Sequence, residues 1–138
     1  MKVELQRKNQ AVHFEAKGTA TDVTVKIDGS PEIGGEGLGV RPMELVLMAL
    51  GSCSSLDLLA ILKKQRQQVD DLQMEVSATR ADAIPAVFKT IHITFKFKGD
   101  LDQKKVEKAA ELAVKKYCSV HDMLAAGGVE ITYSVEIE

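Results

Sequence analysis

The sequence predicts an α+β protein. Three observations point there. Apolar residues alternate with polar ones near both ends and in the middle of the chain; one long apolar segment poor in breakers separates them; and neither strand-helix-strand alternation nor an internal repeat is expected. The 138 residues suit one domain of ordinary size, taken as residues 1–138.

Val3 and Leu5, then Val12, Phe14 and Ala16, then Val23, Val25 and Ile27 recur at every second position, as strands with one buried face do. Asn9-Gln10 and Lys17-Gly18-Thr19 supply the turns of an antiparallel meander. Asp28-Gly29-Ser30-Pro31 and Gly34-Gly35-Glu36-Gly37-Leu38-Gly39 then end all periodicity. The glycine run lacks the Lys-Ser/Thr ending of a phosphate-binding loop, so a flexible rim is expected. Pro42 suits a helix's first turn, and Met43 to Arg66 holds no breaker except Gly51. Leu45 to Leu50 is apolar all round and must be covered on every side, which a second copy of the chain would do.

Leu72, Met74, Val76 and Ala78, then Phe88, Ile91, Ile93, Phe95 and Phe97, predict a second hairpin around Asp82-Ala83-Ile84-Pro85. Asp100 or Asp102 caps a helix through Val106, Ala109, Ala110, Ala113 and Val114. The chain turns near Tyr117-Cys118-Ser119, a short helix runs to Ala126 before Gly127-Gly128, and Val129 to Ile137 forms the last strand.

Composition narrows the function. Eighteen basic against twenty acidic side chains leave a net charge of −2, and aromatic residues are 4% of the chain. Neither phosphate neutralisation nor base stacking is favoured, so nucleic acid is not an expected partner. The charged start, Met1 to Lys8, is unlike a signal peptide, and a cytoplasmic location is expected. Leu45 to Leu62 reaches membrane-spanning length, but Asp57 and three serines at its middle argue for a protein-covered helix and no membrane.

Two cysteines carry the chemical interest. Cys53 lies among small residues in Gly51-Ser52-Cys53-Ser54-Ser55. It is read either as a packed, inert thiol or as a reactive thiolate, which needs a helix N-terminus or a cation. A helix break at Gly51 would supply the first; Asp57, at i+4, would oppose ionisation without a cation nearby. Cys118 has the same two readings, with Lys115, Lys116 and His121 as neighbours in sequence. No C-x-x-C pair or fourth ligand suggests structural zinc, and no metal or bound cofactor is expected.

Pro42-Met43-Glu44-Leu45, with Cys53 nine positions after Glu44 and Cys118 after the next hairpin and helix, resembles the OsmC/Ohr family of thiol-dependent hydroperoxide reductases. Met43-Glu44 and Tyr117-Cys118-Ser119-Val120 look most like its YhfA-type branch; the better-known branches carry Pro where this chain has Ser119. The resemblance implies an OsmC-like fold, antiparallel sheets around a long central helix in an intertwined homodimer. It also implies that Cys53 attacks an organic hydroperoxide, that Cys118 resolves the sulfenic acid, and that an external dithiol restores both thiols. The family's thiolate-holding Arg, paired with the helix Glu, is not matched: no Arg lies between Lys8 and Val40, and Arg41 is the nearest substitute beside Glu44. On a straight helix Glu44 would sit about 13.5 Å and half a turn from Cys53. Two other functions fit the same residues: a non-catalytic protein that binds a small hydrophobic ligand, and a thiol or persulfide carrier.

Overall fold

The computed structural model describes residues 1–138. The backbone forms two compact units, Met1–Val46 and Leu47–Glu138.

In the first unit, β1 (Val3–Arg7), β2 (Phe14–Gly18) and β3 (Thr24–Ile27) form the expected antiparallel meander in the order β1-β2-β3. The first turn is an Asx turn, in which Asn9 Oδ1 accepts the N–H groups of Ala11 and His13 at 3.0 and 3.1 Å. Leu5 pairs with Ala16 and Ala16 with Val25, so the alternating apolar residues share one face. Much of that face is uncovered: Val3 is 63% and Leu5 58% exposed.

The glycine-rich loop differs from its expectation. The buried Asp28 carboxylate accepts the backbone N–H groups of Gly29, Glu36 and Leu38 at 2.8, 3.0 and 3.1 Å. Gly35 and Gly39 press so closely on other backbone that a Cβ on either would lie 1.8 Å from the Gly29 oxygen or 2.4 Å from the Lys26 carbonyl carbon. The loop is pinned, not a flexible rim, because a carboxylate with three donors fixes its backbone. Its end forms a parallel bridge between Ile27 and Val40.

Helix α1 (Pro42–Lys64) runs without a break through Gly51. At its start Glu44 Oε1 accepts the Arg41 backbone N–H at 2.9 Å, the reach-back half of a capping box. At its end Lys63 and Lys64 meet the negative end of the dipole.

In the second unit, β4 (Asp71–Arg80), β5 (Phe88–Lys98) and β6 (Glu130–Ile137) form a sheet in the order β4-β5-β6. β4 and β5 make the expected hairpin. Its ladder slips by one residue between Thr79 and Arg80, and this bulge is why Phe88 and Ile91, of opposite parity, are both buried. The sheet is not wholly antiparallel: β6 runs parallel to β5. The segment between them holds α2 (Gln103–Glu111), a π-helical turn (Leu112–Tyr117) and α3 (Ser119–Ala126). Such a helical crossover returns the chain in its original direction, so one strand-helix-strand unit is present after all.

The core of this unit sits between sheet and helices. Ile91, Ile93, Phe95 and Phe97 of β5 are at most 1% exposed, as are Val106, Ala109, Ala110, Ala113 and Val114 of the crossover. Leu50, Leu58 and Leu62 supply α1's share. Asp102 caps α2, its side chain accepting the Lys105 N–H at 3.0 Å.

Candidate active site

Cys53 lies on α1 between the buried Gly51 and the buried Ser54 and Ser55. Gly51 is there because β4 comes close: a Cβ at this position would sit 3.0 Å from Val76 Cγ2. Helix and strand are also linked by the Ser55 hydroxyl, which contacts Met74 Sδ and donates to the Gly51 carbonyl at 2.7 Å. Because α1 is unbroken at Gly51, Cys53 stands mid-helix, without the N-terminal position that would favour its thiolate.

That position belongs to Cys118. The π turn closes with a bond from the Cys118 N–H to the Ala113 carbonyl at 3.0 Å, and the chain then extends to make Cys118 the N-cap of α3. Its Sγ accepts the His121 backbone N–H at 3.4 Å.

The two thiols are neighbours. Burial pushes the Cys118 thiol above its ordinary value, the Ser54 hydroxyl and the His121 N–H oppose that rise, and the adjoining Cys53 thiol adds to it. Burial wins because Cys118 is only 1% exposed. Cys53 is half-buried and is the more open of the pair.

Lys115 and Lys116 take no part in this balance. Their ammonium groups lie over the Tyr133 and Tyr117 rings, 5.9 and 5.4 Å from the centroids, in cation–π contacts. The His121 ring is hydrogen-bonded to Asp122 at 3.3 Å. Among the sequence-predicted site residues, the structure therefore brings Cys53 and Cys118 together. Arg41 and Glu44 meet through the Arg41 backbone, while the Arg41 guanidinium lowers the Glu32 carboxyl, which is held down first by its own N–H and the Ser30 hydroxyl.

Ser54 was not singled out by the sequence. Its hydroxyl is fully buried beside Cys118 and has no hydrogen-bond partner. The one available sign was its place beside Cys53 in a run of three serines, which its neighbours Ser52 and Ser55 share.

A sequence model described as "OsmC-like protein" matches residues 34–134. The chain belongs to the OsmC-like family. It is 42% identical over 97 residues to Protein YhfA of Escherichia coli K12, covering 70% of this chain and 72% of that protein, which places it with the YhfA-type branch. A hypothetical protein from Aquifex aeolicus VF5 is 33% identical, with a TM-score of 0.81 over 99% of this chain and 96% of that one. The organic hydroperoxide resistance protein OhrB of Bacillus subtilis, at 22% identity, shares the fold with a TM-score of 0.61, over 99% of this chain and 96% of that one. The OsmC-like α+β architecture expected from the sequence is the one observed.

Proposed function

We propose that this protein reduces organic hydroperoxides with its two cysteines. The observation that carries the reading is the adjacency of the chain's two thiols, one half-open and one buried at a helix N-cap. Membership of a family that includes organic hydroperoxide resistance proteins supports a role in peroxide resistance.

The chemistry is balanced by these groups and an external dithiol. The Cys53 thiolate attacks the outer peroxide oxygen, the O–O bond breaks, and the alkoxide leaves as an alcohol after taking a proton. Cys53 is then a sulfenic acid. The Cys118 thiolate attacks its sulfur, the S–S bond forms, the S–O bond breaks, and hydroxide leaves with a proton as water. Two thiol-disulfide exchanges with the dithiol restore both cysteines and oxidise the dithiol to its disulfide.

In this reading the protein works as a homodimer in the cytoplasm, a second copy covering apolar side chains of α1 that one chain leaves open. Met48 is 49% and Leu56 72% exposed. The resemblance assigns Glu44 to the same chemistry as the acid; Arg41, the nearest substitute for the family's unmatched Arg, is proposed as the cation.

Intact mass after one equivalent of an organic hydroperoxide tests the proposal. Loss of two hydrogens, reversed by a dithiol, is expected. Unmodified thiols would favour the ligand-binding alternative.

A further inference from the structure

Three serines surround Cys53, and only one of them lacks a partner. Ser52 Oγ donates to the Met48 carbonyl at 2.7 Å, and Ser55 Oγ donates to the Gly51 carbonyl at 2.7 Å, the i−4 back-bonds of helical serines. Ser54 makes no such bond, although it is 0% exposed. A buried hydroxyl without a partner is unfavourable, and it is free to donate to an acceptor that forms beside it. Its neighbour is Cys118 Sγ, which already accepts the His121 N–H.

We propose that Ser54 is the positioning residue of the resolving step, its hydroxyl donating to Cys118 Sγ when that thiol ionises. The inference rests on the two-cysteine reading above. A thiol sulfur is a weak acceptor and a thiolate a strong one, so the bond gains strength as the proton leaves. With the His121 N–H, Ser54 then gives the thiolate two donors in a site closed to water. The titratable group facing Cys118 is Cys53 of α1; α3 presents a backbone N–H, its His121 ring being held by Asp122. Ionised Cys118 attacks the Cys53 sulfenic sulfur, forming the disulfide and releasing hydroxide, which leaves as water.

The test is a titration that needs no peroxide. In a Cys53→Ala protein Cys118 is the sole cysteine, and its 13Cβ chemical shift against pH gives its pKa. Adding Ser54→Ala is expected to raise that pKa by about one unit, the effect of one hydrogen bond lost from the charged form. Ser54→Thr, which keeps the hydroxyl, is expected to leave it near the parent value. The melting temperature of Ser54→Ala should be unchanged or higher, since the deleted group had no partner in the dithiol.

In the two-cysteine protein at neutral pH, one unit means a tenfold smaller thiolate fraction, partly offset by greater nucleophilicity. Disulfide closure in Ser54→Ala should slow by roughly threefold. An unchanged Cys118 pKa in Ser54→Ala, an equal shift in Ser54→Thr, or a lost melting transition in Ser54→Ala would each overturn the assignment. Failure of the parent protein to react with peroxide would instead count against the proposed function and leave the titration readable.

Discussion

At the residue scale, the chemistry was legible where residue type alone carries it. Cys53 and Cys118 stand out because the chain has no other cysteine. Ser54 and Asp28 do not stand out, since what distinguishes them is the presence or absence of partners. A helical serine ordinarily bonds its own helix, and Asp28 finds donors eight and ten residues ahead, beyond any local pattern. The Glu36 and Leu38 N–H groups foremost, and Gly29 after them, hold the Asp28 carboxyl below its usual 3.8. Its stabilising contribution is therefore present above about pH 3.8 and fades as pH falls through the lower folded value. Asp28→Asn, which cannot accept all three bonds, is expected to lower the urea midpoint at pH 7. That difference should narrow as the pH drops below 3.8.

At the element scale, the alternating strands, the long helix and the Asp102 cap were readable because each depends on residues close in sequence. The parallel pairing of β6 was not, because a strand's own pattern does not state its direction. The π turn before Cys118 was hidden for a similar reason. Leu112 to Tyr117 has ordinary helical composition, and nothing in it marks the widened turn, in which Ala113 and Val114 are buried. Its consequence is chemical, because it ends the helical run where Cys118 becomes a cap. The packing of α1 on β4 gives a second consequence. Gly51→Val would add a Cβ and two methyls facing Val76, where a Cβ alone would sit 3.0 Å from Val76 Cγ2. We expect a loss of about 1–3 kcal/mol in chemical denaturation, more than better helix propensity returns.

At the scale of the whole molecule, α1 leaves large apolar side chains uncovered. By length and hydropathy α1 would reach across a bilayer, yet only 33% of its most apolar window is buried in one chain. Asp57 and the serine run fit a protein neighbour better than lipid. Sedimentation at micromolar concentration is expected to give a dimer, with an interface above about 2,000 Å² in total. A monomer mass independent of concentration would contradict the dimer.

The central claim is that Cys53 is the attacking thiol and Cys118 its partner, and peptide mapping of the Cys118→Ser protein tests it most directly. After excess organic hydroperoxide, Cys53 should be found as sulfenic acid passing to sulfinic acid, because the thiol that would trap it as a disulfide has been removed. An unoxidised Cys53 in that protein, with Cys118 oxidised in the matching Cys53→Ser protein, would contradict the account and reverse the two roles.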